Sequence, residues 1–300
     1  MPNRKLQFKL VTTAMLTLGL SLCHWATAQE AHFVSKKIAD GLYVLQGEGG
    51  FTGGNIAISV GEDGVVMIDD SMPPFLDKLK KAIADIAGKP VDFLINTHVH
   101  GDHTGNNAAF GKGSTHIVAH KNLRERLKTM KIDDKPTPAS ALPVITFDSE
   151  INFHLNAGEI QVRHVAHAHT DGDAVIYFKD LNVLHTGDVL FNGLFPYVDL
   201  DNGGTVNGYI AAQKNLYEHT DAQTIVIPGH GPIGTREDLK ASYTMLEEIQ
   251  ALVKKLVDEG KSEDEIVELN PLKAYHDKWN WGFITTERMT RTLYKDLTTK

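Results

Sequence analysis

Cysteine is almost absent: Cys23 is the only one in 300 residues. It sits inside MPNRKLQFKLVTTAMLTLGLSLCHWATAQE, which has a basic start (Arg4, Lys5, Lys9), an apolar run over residues 10–22 and the small-residue site Ala26-Thr27-Ala28. That order marks residues 1–28 as a secretory signal peptide, and Leu22 before Cys23 speaks against a lipid anchor there. A mature chain beginning near Gln29 then has no disulfide, no thiolate metal ligand and no cysteine nucleophile. Long apolar runs are missing too: the leader's is too short to span a bilayer, which takes about 20 residues, and no later stretch approaches it. A soluble, secreted or periplasmic protein is expected, with no membrane partner after signal cleavage. Positive charge is the third shortage. The 30 basic residues face 38 acidic ones, and removal of the leader's three basic residues takes the formal charge from -8 to -11. Such a surface argues against nucleic acid or anionic lipid as partner and leaves a small-molecule substrate. No G-x-S-x-G elbow offers a serine nucleophile. Nothing in the sequence sets the oligomeric state.

What is present is a run of short β-prone segments punctuated by turns. Residues 42–46, 55–60 and 65–68 alternate with the glycine-rich GEGGFTGG and with GEDG, predicting a β meander. Helical spacing over residues 75–87 stops at Gly88, and a buried strand is expected at 91–95. A second cycle places strands at 116–119, 144–147, 151–155, 160–164, 174–178, 182–185 and 224–227, with helices at 121–130 and 207–217. Two β-rich halves with outer helices fit a sheet-on-sheet core. From Arg236 the spacing of Leu239, Leu246, Ile249 and Leu256 predicts one long helix, with shorter ones at 262–269 and 285–297.

The chemistry concentrates in INTHVHGDHTGN, where His98, His100, Asp102 and His103 fall within six positions after a strand. Gly101 and the following T-G-N predict an irregular loop rather than helix, from which imidazoles and carboxylate can converge on a metal of borderline softness. The bland alternative is a polar loop capping a helix through Asp102 or Thr104. His169 in HAHTDGD, Asp188 in HTGDVLF and His230 in IPGHGP occupy the same kind of place, turns at strand ends. Together these residues suffice for two metals with three or four ligands each.

From VVMIDDS to IPGHGP, with H-x-H-x-D-H between, the chain resembles the metallo-β-lactamase superfamily. The resemblance implies an α/β fold, a four-layer αββα sandwich over residues 29–235 with a helical extension at 236–300 packed on it. It implies two Zn2+, with iron or manganese as substitutes. His98, His100 and His169 would bind the first, Asp102, His103 and His230 the second, and Asp188 would bridge them. Asp69 of MIDDS would hold the histidine loop, with Asp70 competing for that role. His167 and His185 are expected to be packed residues. The best-known β-lactamase branch has a cysteine near the position of Asp188 and is excluded; a carboxylate bridge resembles the glyoxalase II and lactonase branches.

The implied enzyme is an exported zinc hydrolase in which a metal-bridging hydroxide attacks a carbonyl carbon and the catalytic Asp102 orients it and takes its proton. Phe51, Phe195 and Tyr197 are candidates for the pocket wall, the Tyr197 hydroxyl as a donor. A β-lactam-like amide or lactone is favoured. The alternatives are a thioester substrate, a mononuclear iron persulfide dioxygenase and a non-catalytic periplasmic metal-binding protein.

Overall fold

The computed structural model describes residues 30–132 and 134–299, so the signal peptide expected over 1–28 lies outside the described residues. Two sheets succeed each other along the chain. The first is formed by β1 (His32–Ala39), β2 (Leu42–Glu48), β3 (Ile56–Val60), β4 (Val65–Ile68), β5 (Phe93–Ile95) and β6 (His116–His120). After a small hairpin of β7 (Lys131–Ile132) and β8 (Lys135–Pro136), β9 (Ile145–Phe147) completes it. The order is β1-β2-β3-β4-β5-β6-β9, antiparallel as far as β4 and parallel beyond. The second sheet takes β10 (Glu150–Leu155), β11 (Gly158–Val165), β12 (Asp173–Phe178), β13 (Val183–Phe191), β14 (Ile225–His230) and β15 (Gly234–Thr235) in sequence order. Only β13 and β14 pair in parallel there.

Two-residue periodicity assigns the faces. Leu42, Val44, Val66 and Ile68 meet Phe153, Ile160, Val162 and Ile176 between the sheets. Leu45, Ile56, Ile58 and Met67 point the other way, under α1 (Leu76–Ala87), whose Leu79 and Ile83 cover them. Gly88 ends α1 in the left-handed conformation, φ 63°, which glycine adopts without a Cβ clash. Between the two halves lie α2 (Gly101–Thr104), α3 (Asn107–Phe110) and α4 (Lys121–Thr129). The outer face of the second sheet, including Leu184 and Val226, is covered by α5 (Val206–Glu218) and α6 (Arg236–Asp258) through Tyr209, Leu246 and Ile249. The result is a four-layer αββα sandwich.

α7 (Glu263–Leu269), α8 (His276–Trp279) and α9 (Thr286–Thr298) bury Ile266, Trp279, Met289 and Leu293 in the same cluster as α6. At about 1.5–3 kcal/mol per fully buried large apolar side chain, this region is bound into the body of the protein. α6, entered through a capping box of Thr235 and Asp238, is itself an outer layer.

Three local expectations are corrected. Residues 101–104 form a helical turn, not irregular loop, because the His103 and Thr104 N–H groups both donate to His100 O and burial of these two side chains offsets the cost of Gly101. β13 continues to Phe191 and β14 to His230, which puts Asp188 inside β13 and His230 at the last position of β14 rather than in the turns after them. β1 was not expected; it is an edge strand whose four central residues are exposed, so its pattern lacks clean alternation.

Candidate metal centre

The site lies where the end of β5 meets the β11–β12 connection, β13 and the end of β14. The first sheet supplies His98, His100, Asp102 and His103; the second supplies His169, Asp188 and His230. They gather as two groups, His98, His100, His169 and Asp188, then Asp102, His103 and His230, with the donor atoms in each within 4.8 Å of one another. Asp188 faces both. Its Oδ2 is 3.5 Å from His98 Nε2 and 3.5 Å from His169 Nε2, while Oδ1 is 3.1 Å from His103 Nε2 and 3.4 Å from His230 Nε2.

Four of the five imidazoles have their other nitrogen held, which sets tautomer and ring plane. His103 Nδ1–H donates to Asp69 Oδ2 at 2.7 Å, and His100 Nε2–H to Asp199 Oδ2 at 2.8 Å. His169 Nδ1–H donates to the Tyr197 carbonyl at 2.6 Å. His98 Nδ1–H donates to Thr97 Oγ1 at 3.0 Å, and that hydroxyl donates to Asp69 Oδ2 at 2.8 Å. Asp69 thus orients one ring from each group and also accepts the Thr97 N–H at 2.7 Å. It does so with φ 62°, a left-handed backbone that costs a non-glycine residue about 1–2 kcal/mol and is sustained by the surrounding bonds. Asp70 instead accepts the Asn106 N–H, and its carboxylate makes no hydrogen bond to an imidazole of the site.

Without a cation the arrangement is frustrated. His98 Nε2 and Asp188 Oδ1 are buried with no hydrogen-bond partner. His100 Nδ1 faces His169 Nε2 at 2.9 Å, and His103 Nε2 faces His230 Nε2 at 3.3 Å. An orphaned buried polar atom costs about 1–3 kcal/mol, which a metal ion at the shared focus would remove. Imidazole nitrogen and carboxylate oxygen in groups of three and four suit zinc or iron. Electrostatics separates the two groups. Burial, reinforced by neighbouring histidines, drives His98 well below the ordinary range and His169 to about 4. Burial would also lower His103 and His230, but Asp188 and Asp102 outweigh it, raising His103 well above its usual value and His230 to about 9. Against burial, His103 and His230 bring Asp102 down to about 2, and His230, His103 and His98 hold Asp188 well below the carboxylate range.

Around the mouth, Phe51 is 56% exposed and stacks on His230, ring centroids 5.7 Å apart. Tyr197 stacks on His100 at 5.5 Å. Phe195 is a correction: it is fully buried in the core beneath α5 and α6 and lines no pocket. His185 is buried, donating to Asn55 O and accepting from Gly187 N, so it braces the turn before Asp188. His167, expected to be packed, is a second correction: it is exposed and donates to Gly203 O, outside the site.

Sequence reasoning missed Asp199, Thr97 and Asp173. Asp173 accepts the His169 and Thr170 N–H groups and holds that loop, its pKa raised to about 8 by burial. The available signals were the acidic turn YVDLDNGG and the D-G-D of HAHTDGD.

Two sheets closing on paired histidine–aspartate groups define the class: a metal-binding αββα sandwich. Residues 49–230 match the description "Metallo-beta-lactamase superfamily". A metallo-beta-lactamase from Pontibacter korlensis superposes with a TM-score of 0.61 at 19% identity, covering 72% of this chain and 99% of that one. An acyl-coenzyme A thioesterase of Homo sapiens is 24% identical over 230 residues, 66% of this chain and 81% of that protein. The 2,4-dinitroanisole O-demethylase subunit alpha of Nocardioides sp. is 27% identical over 136 residues, 44% of this chain, which spans only 40% of that subunit. The chain belongs to the metallo-β-lactamase superfamily.

Proposed function

We propose that the protein is an exported, two-zinc hydrolase of small carbonyl substrates, a β-lactam-like amide or a lactone first among them. The observation that carries this is Asp188, one oxygen toward each ligand group, which suits a pair of ions better than one. Bound zinc would supply a Lewis acid for the carbonyl and a water acidic enough to ionise near neutral pH.

The chain's own residues supply the rest. Asp102 is an ionised carboxylate whose side chain is 22% exposed, the most open acid of the site, placed to take the attacking water's proton and pass it to the leaving group. The Tyr197 hydroxyl, kept protonated because burial and Asp199 raise its pKa, is a donor for the oxyanion or leaving group. Phe51 over His230 restricts water. A thioester is the second reading, favoured by the thioesterase relative. Against it, Lys278 lies over Trp279, in a groove away from the metal ligands, and forms no basic cluster at the mouth. Export rests on the leader motif, and the small-molecule partner on the acidic balance.

The test is a zinc-loaded mature protein screened against lactams, lactones, thioesters and phosphodiesters, with metal content measured in parallel. Turnover of a lactam or lactone with two zinc per chain, lost in Asp188→Ala, is the expected result. One iron per chain with oxygen uptake overturns the hydrolase reading. No turnover of any compound with two metals bound favours a binding protein.

A further inference from the structure

We infer that Arg126, on α4, is a positioning residue for the ligand group of His98, His100, His169 and Asp188, acting on His100 through Asn202 and Asp199. This rests on the two-ion reading above and adds to it a residue three hydrogen bonds removed from the nearest ligand.

Arg126 lies in the last turn of α4, where a cation suits the helix dipole. Its side chain is largely covered and faces two loops of the second half of the chain at once. Nε and Nη2 donate to Asp171 Oδ1 and Oδ2, both at 2.7 Å, the two-pronged pairing that a planar guanidinium makes and an ammonium does not. Nη1 donates to Asn202 Oδ1, also at 2.7 Å. Asp171 follows His169 by two residues in the β11–β12 connection, and Asn202 ends the turn that Asp199 begins. Gly203, φ 81°, leaves the room this needs: a Cβ there would lie 3.0 Å from Asp171 Cβ and 3.3 Å from Arg126 Nη2.

The bond to Asn202 decides what its amide can do. A guanidinium only donates, so the amide oxygen stays with Arg126 and Nδ2 is left to donate to Asp199 Oδ2, at 2.6 Å. The backbone of Asn202 is held as well, its N–H donating to Asp199 Oδ1 at 3.0 Å and its carbonyl accepting the Asp171 N–H at 3.0 Å. Asp199 Oδ2 thus takes Asn202 on one side and His100 Nε2–H, at 2.8 Å, on the other, while His100 turns Nδ1 to its ligand group. With Arg126 gone, the Asn202 amide is no longer fixed, and one of its two orientations sets an oxygen against the Asp199 carboxylate and pushes it off His100. Other cations of α4 serve elsewhere: Arg124 donates to Pro143 O and Lys128 pairs with Glu125.

The test is a double-mutant cycle of Arg126→Gln and Asp199→Asn, read by zinc titration against a chromophoric chelator. Arg126→Gln alone is expected to weaken one ion about 3–10-fold, less than loss of a ligating ring's direct partner, and to leave the other within about twofold. In the Asp199→Asn background the same substitution is expected to move neither ion by more than about twofold, because the path through Asp199 is already broken. A merely structural role would weaken both ions alike or add the same loss in both backgrounds. Either result overturns the proposal, as does an unchanged affinity in the single variant. Melting of the metal-free proteins checks the fold; Arg126→Lys, whose ammonium cannot hold Asp171 and Asn202 in one fork, replaces a Gln variant that fails to fold and is expected to show the same split. If the wild type takes up a single zinc ion, the two-ion reading fails separately and the cycle is read on that ion. A loss seen only where Asp199 is intact upholds the path, and no loss, or an equal one in both backgrounds, overturns it.

Discussion

In the proposed two-ion site, Asp199→Asn is expected to weaken one metal position and spare the other. The two Asp199 oxygens serve three donors: Oδ2 accepts from His100 Nε2 at 2.8 Å and Asn202 Nδ2 at 2.6 Å, and Oδ1 accepts from Asn202 N at 3.0 Å. These hydrogen bonds, led by His100, hold the carboxyl well below its ordinary range although burial opposes them. Asparagine fills the same space with a single acceptor oxygen, so in either flip its NH2 group faces a donor. The flip that keeps the amide oxygen toward His100 still leaves that half-buried ring a neutral acceptor in place of a carboxylate, and loss of such a partner from a metal-ligating imidazole typically lowers metal affinity by about 10–100-fold. The penalty falls on His100 and hence on the group it shares with His98 and His169; His103 keeps Asp69, and Asp102 and His230 are untouched. Titration against a chromophoric chelator is expected to show one ion weakened by about 10–100-fold and the other within about threefold. Thermal melting of the metal-free variant checks that the fold survives. Both ions weakening equally, or neither, refutes the argument.

Asp69→Asn is expected to weaken both ions, because Asp69 reaches His103 directly and His98 through Thr97; the same titration then shows two displaced steps. Gly229→Ala would drive a Cβ into Asp188 Oδ1, so turnover is expected to fall more than about 100-fold while overpacking lowers stability by only about 1–3 kcal/mol, measured by kinetics and urea unfolding together. His120 and His164, on opposite sheets, stack in parallel at 3.6 Å, beside Lys121, Asp148 and Asp171. Burial, helped by the neighbouring ring, lowers His120 to about 4, and burial lowers His164. Folded pKa values below the unfolded value of about 6.5 mean that the unfolded chain binds more protons in between, so this stability is present above about pH 6.5 and fades toward pH 4. Urea unfolding at pH 7.5 and 4.5 is expected to show an acid loss about 1–2 kcal/mol larger in wild type than in His164→Asn; equal losses refute it.

Much of this was readable in advance because the physics is local. Leu42, Val44, Val66 and Ile68 alternate with outward residues, and Gly88 marks a helix end. The candidate ligands were legible because imidazole and carboxylate at strand ends are costly without a purpose. Asp199 was not, since it meets His100 across 99 residues and no short motif encodes that approach. Phe195 and Tyr197 stand two apart on one loop, yet one faces the helices and the other the mouth. Their facing depends on how Trp279 and Trp281 pin the loop, and those tethers come from the far end of the chain.

The two sheets occupy successive halves of the sequence, meeting between β9 and β10, and each ligand group draws donors from both halves. Metal affinity is therefore a measure of how well one half recognises the other. A chain nicked at the Asp148-Ser149 junction is expected to behave as two fragments whose association tightens with free zinc, making the site the adjustable clasp of a split protein.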